Sequence, residues 1–135
     1  MQNIKCLAIV TIVALATILA AQPEADSKPF RRDITLNITF CWQLASVDPA
    51  CPVQPVELRA DGTAFASTGA QSLTGSYTKR RGVLTITFDV PHPTIANTTY
   101  QVEYTGTKLR PGCWGGDMSS DLFSPAMTGA WEGCR

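Results

Sequence analysis

The sequence has a single histidine, His92, and no pair of cysteines spaced CxxC. An imidazole working as a base needs a nucleophile beside it and a third group to orient it. His92 stands between Pro91 and Pro93, in a stiff segment that offers neither, and reads as a surface-loop residue. Zinc sites normally draw on closely spaced Cys and His, so no metal site is expected. An excess of one charge is missing as well: 11 Lys and Arg balance 11 Asp and Glu. Nucleic-acid binders usually carry a basic excess, so no nucleic-acid partner is expected. No window carries a useful helical stripe of apolar residues, and no repeat longer than a hairpin recurs. No cofactor motif and no catalytic constellation remain, which argues against an enzyme.

Three features are present in place of these. The first is a charge-free apolar run, Leu7 to Ala21, which follows Lys5 and ends in Ala20-Ala21 before the polar stretch QPEADSKP. A basic start, an apolar centre and a small-residue end make the pattern of a secretory signal peptide. The run of 15 residues is shorter than the roughly 20 needed to span a bilayer. Residues 1–21 are therefore expected to be cleaved, leaving an extracellular chain (periplasmic or surface-exposed in a bacterium) with no stable membrane insertion.

The second feature is the four remaining cysteines, Cys41, Cys51, Cys113 and Cys134. An even number in a small exported domain reads as two disulfides. A Cys41–Cys51 clip ties down the proline-rich linker around Pro49, Pro52 and Pro55. Cys113 and Cys134 flank the centre of the last hairpin symmetrically and would face each other across it. The competing pairing joins Cys41 to Cys134, because the first and last strands of a closed barrel are neighbours.

The third feature is period-two alternation. Ile34, Leu36, Ile38, Phe40, Trp42 and Leu44 alternate with Thr35, Asn37, Thr39, Cys41 and Gln43, which describes a strand with one buried and one wet face. Further strands are predicted over 55–60, 63–67, 72–78, 82–90, 98–105, 113–119 and 127–134. Turns are expected at Asp61-Gly62 and over Lys79–Gly82, and a break at Pro91-His92-Pro93. Residues 22–33, polar with two prolines and Arg31-Arg32, are read as a flexible arm ahead of one domain over 34–135. Eight short strands joined mostly by short turns predict an antiparallel up-and-down barrel closed on itself. A Greek-key sandwich is the alternative.

Several segments together resemble a known family. FCW at 40–42, ELRADGTAF at 57–65, LTGSYTKRRGVLTITF at 73–88, YQVEYTG at 100–106 and TGAW at 128–131 resemble the lipocalin-like, or calycin-like, secreted barrels. There a DGT hairpin, a G-x-aromatic strand and a terminal G-x-W recur. The resemblance spans Phe40 to Trp131 and implies a barrel and, by analogy, a bound small molecule.

Candidate site residues follow from the inward positions. Phe40, Trp42, Tyr77, Phe88, Tyr100 and Tyr104, with Trp114 or Trp131, either line a calyx for an apolar or flat ligand or plug the barrel solid. Asp117, Asp121 and Glu132 are late carboxylates near aromatics and read as solvated turn residues, not as a glycosidase pair. Lys79-Arg80-Arg81 reads as a solvated turn, with an acidic partner or anionic surface as the sharper alternative. Asn37-Ile38-Thr39 and Asn97-Thr98-Thr99 are N-glycosylation sequons at Asn37 and Asn97. The leading expectation is a non-enzymatic secreted protein holding a small apolar ligand. The alternatives are a structural surface domain, or a module that binds an extracellular protein. One form of that module is a protease inhibitor acting through residues 22–33 or a loop at 106–112, since small disulfide-bonded barrels also resemble some bacterial metalloprotease inhibitors.

Overall fold

The structure, a computed structural model, describes residues 28–69 and 71–135. The apolar run at 7–21 lies outside the described residues. The eight strands are β1 (Ile34–Trp42), β2 (Val53–Leu58), β3 (Thr63–Thr68), β4 (Gln71–Arg80), β5 (Val83–Pro91), β6 (Thr99–Arg110), β7 (Cys113–Ser120) and β8 (Met127–Cys134). Each pairs antiparallel with the next, and β8 returns to β1 through Phe40 opposite Trp131 and Trp42 opposite Gly129. The result is a closed eight-stranded up-and-down barrel, not a sandwich, and among the described residues no sheet edge is left for another chain to extend.

Alternation decides which side chains fill it. On β1, Leu36 and Ile38 are fully buried while Thr35 and Asn37 face solvent. The same period buries Val56 and Leu58 on β2, Ala64 and Ala66 on β3, and Leu84, Ile86 and Phe88 on β5. Each large apolar side chain removed from water in this way contributes about 1.5–3 kcal/mol. Trp131 is the largest fully buried side chain among the described residues. Gly106 and Gly133 leave room for its ring: a Cβ at Gly106 would lie 2.9 Å from the indole, and one at Gly133 3.2 Å from it. The Trp131 indole Nε1 donates to the carbonyl of Thr105 at 3.2 Å.

Both disulfides form as Cys41–Cys51 and Cys113–Cys134. Cys113 and Cys134 are direct partners in the β7–β8 register, and the competing Cys41–Cys134 pairing does not occur. Two such bonds fit an extracellular or otherwise oxidising environment.

Four expectations about boundaries change. β1 stops at Trp42 because Gln43 adopts a positive φ of 62°, which leaves Leu44 exposed outside the alternation. The β2–β3 turn is wider than two residues: Arg59 N donates to Thr63 O and Gly62 N to Arg59 O, with Gly62 at φ 89°. β4 runs on to Arg80, so the next turn is Arg81-Gly82 alone. β6 extends to Arg110, so residues 106–110 are ladder and not loop. The arm differs too. From Lys28 onward it is docked: Lys28 N donates to Lys79 O, and Phe30 is buried. Residues 22–27 lie outside the described residues.

Candidate functional site

Strand direction gives the barrel two distinct ends. β1 starts at one end, the base, and finishes at the other, the mouth. The turns 59–62, 81–82 and 111–112 lie at the base, together with the chain before β1 and after β8. The connections 43–52, 92–98 and 121–126 lie at the mouth.

The base is filled. Phe30 enters the barrel end and packs against Tyr77, with ring centroids 5.7 Å apart, and edge-on against Trp114 at 5.4 Å. The Tyr77 hydroxyl accepts from Phe30 N at 3.0 Å and donates to Arg59 O at 2.6 Å. Burial raises the Tyr77 pKa above its ordinary value, against the opposing effect of the Phe30 amide. Lys79 lies 4.5 Å over the Phe30 ring, and Arg135 stacks 5.6 Å from both Phe30 and Trp114. The base is thus a stopper of one aromatic ring, held by hydrogen bonds and capped by cations.

The mouth half is open. A cavity of about 250 Å³ lies between Phe40 and Trp42 of β1, Phe88 and Val90 of β5, and Tyr100, Val102 and Tyr104 of β6. Val56, Ala66 and Leu73 complete its apolar wall, and Gln54, Thr68 and Gln71 supply polar groups. Its aromatics come mainly from β1, β5 and β6, and its polar groups from β2, β3 and β4. Gln54 is held in place by its Nε2, which donates to Ser67 O at 2.7 Å and Pro55 O at 3.1 Å.

Tyr104 forms an aromatic stack with Phe88 at 6.4 Å and Trp131 at 5.8 Å, both edge to face. Desolvation by burial, with a smaller effect from Tyr100, pushes its pKa up to about 12. The phenol is therefore a neutral hydroxyl at physiological pH. No buried side-chain polar atom among the described residues lacks a partner. The Tyr104 hydroxyl bonds to no described residue, so it is reachable from the open half of the barrel.

Of the eight aromatics named in the sequence, Trp131 is buried in the core against Tyr104, and Phe40, Trp42, Phe88, Tyr100 and Tyr104 meet around this cavity. Tyr77 and Trp114 do not, because they lie near the base ends of their strands and serve the stopper. Phe30 was hidden from sequence reasoning: it falls in a polar segment between Pro29 and Arg31 with no alternation to mark it. Gln54, Thr68 and Gln71 carry no distinguishing pattern either.

The remaining candidates scatter. Glu132 pairs with Arg110 at the base, whereas Asp121 accepts from Gln101 N at 2.6 Å near the mouth. These carboxylates sit at opposite ends of the barrel and share no cleft. His92 Nδ1 accepts from Thr94 N at 3.1 Å and Ile95 N at 3.0 Å, organising its own loop. Cys113, Glu132 and Cys134 cluster closely enough to suggest a metal, but the disulfide consumes both sulfurs. Asn37 and Asn97 are both exposed, Asn97 in a loop at φ 57°.

No protein-family model, curated protein or solved structure matches this chain.

Proposed function

We propose that this is an exported, non-enzymatic binding protein of lipocalin-like design that carries a small, flat, largely apolar molecule in the mouth half of its barrel. The observation that carries this reading is the uneven filling of the interior. An eight-stranded barrel can be packed solid or can hold one small ligand, and here the base is packed while the mouth half keeps about 250 Å³. An apolar cavity of about 150 Å³ accepts benzene, so this one suits a molecule of one or two rings. The aromatic wall supplies contact area, and the Tyr100 and Tyr104 hydroxyls with the Gln71 amide supply orientation. The signal-peptide pattern of residues 1–21, the two disulfides and the exposed sequons are consistent with export, with glycan at Asn37 and Asn97 in a eukaryotic source.

The test is mass spectrometry of the protein recovered from its own export route, once under native and once under denaturing conditions. A mass present only in the native spectrum identifies the ligand, and Trp42→Ala should remove it. Equal masses, together with no detectable uptake of small aromatic probes, would sink the carrier reading in favour of a protein-interaction or structural role.

A further inference from the structure

The balanced total charge conceals an uneven placement of the cations. Of the 11 Lys and Arg residues in the sequence, all but Lys5 lie in the described part. Every one of those ten sits at the base. They come from five separate segments: 28–32 before β1, the turn at Arg59, the end of β4 and its turn (79–81), the end of β6 (108–110), and Arg135 after β8. Among the described residues four side-chain carboxylates share this end, namely Asp33, Glu57, Asp61 and Glu132; Glu24 and Asp26 lie outside the described residues. The salt bridges among the described residues are Arg59–Glu57 and Arg110–Glu132. The other eight cations thus have no carboxylate partner among the described residues. Asp48, Asp89, Glu103, Asp117 and Asp121 lie at mid-barrel or toward the mouth, where no cation is described.

We propose that the base is a docking face for an anionic lipid bilayer. Like charges gathered at one end repel one another, and stacking on aromatic rings engages only Arg59, Lys79 and Arg135 among the described cations. The cations encircle the barrel end instead of following one groove, a layout that meets a charged plane better than a linear polyanion. Exposed Leu109 stands among them between Lys108 and Arg110. The described chain enters the barrel at this same end, through Lys28. A base-down orientation on the membrane leaves the mouth facing away from it.

The test mixes the disulfide-bonded protein from its export route with sedimenting vesicles of phosphatidylcholine, with or without about one-third phosphatidylglycerol. Cosedimentation is expected with the anionic vesicles and should fall at least about tenfold between about 0.05 M and 0.5 M salt. The variant Arg31→Glu/Arg80→Glu/Lys108→Glu should lose it while keeping its melting temperature. The milder Arg80→Gln/Lys108→Gln should weaken it in the same direction if the triple reversal impairs folding. Equal binding to both vesicle types, or wild-type binding by a folded variant, overturns the proposal. Salt-sensitive capture by heparin without vesicle binding overturns it too, in favour of a soluble polyanion. None of these outcomes depends on whether the mouth holds a ligand.

Discussion

The hydroxyl of Tyr77 ties Phe30 to the barrel: it accepts from the Phe30 amide at 3.0 Å and donates to the Arg59 carbonyl at 2.6 Å. One phenol thereby fixes both the incoming chain and the β2–β3 turn. Tyr77→Phe leaves two backbone groups without that partner and should cost about 1–3 kcal/mol in urea unfolding. Phe30→Ala should cost about 3 kcal/mol or more, through lost burial and the cavity it leaves. Because the residues touch, the double variant should lose less than the sum. Strict additivity would mean that the stopper and its latch act independently.

Ala66 lines the open cavity with its side chain buried. Ala66→Leu grows into free space, so unfolding stability should hold or rise by about 1 kcal/mol. Affinity for a small aromatic probe should fall at least tenfold. A probe that binds the variant as well as the parent must sit elsewhere.

Burial pushes the Tyr104 pKa up to about 12, above the ordinary 10.0. A proton held more tightly in the folded state than in the unfolded one stabilises the fold fully below pH 10. That contribution is lost as the pH rises from 10 through 12. Tyrosinate absorbance should show a phenol ionising near pH 12 that disappears in Tyr104→Phe, and the variant should lose less stability over that interval. An unchanged alkaline titration in the variant would contradict the burial of this ring.

The disulfides span 10 and 21 residues. Each should contribute about 2–4 kcal/mol by restricting the unfolded chain. The longer loop should exceed the shorter by about 0.6 kcal/mol, since it is roughly twice the length. Chemical denaturation of the paired Cys→Ala variants checks the order. A larger loss from Cys41/Cys51 would assign the stabilisation to anchoring of the linker in the native state instead.

Alternation made the strands and their inward faces legible, because a period of two separates core from solvent without any knowledge of neighbours. The Cys113–Cys134 pairing was legible for a related reason, since symmetry about a hairpin centre is a statement about register, and Cys41–Cys51 was legible as a short clip over a proline-rich linker. Height along the barrel axis was not legible. Tyr77 and Tyr104 both point inward, yet one seals the base and the other faces the cavity, and only the register of eight strands separates them. The grouping of cations was equally hidden, since Lys28, Arg59, Lys108 and Arg135 are far apart in sequence. A count of charges discards position, so an overall balance disguised a polar molecule.

A meander with an even number of strands returns its chain to the end where it began. Through that geometry Lys28, whose amide donates to the Lys79 carbonyl, and Arg135, whose guanidinium stacks on the Phe30 ring, lie at the same end. Cargo fused ahead of Lys28 or after Arg135 would therefore hang from the stoppered end. The cup can be tethered, tagged or displayed from either side of the sequence with its rim unobstructed.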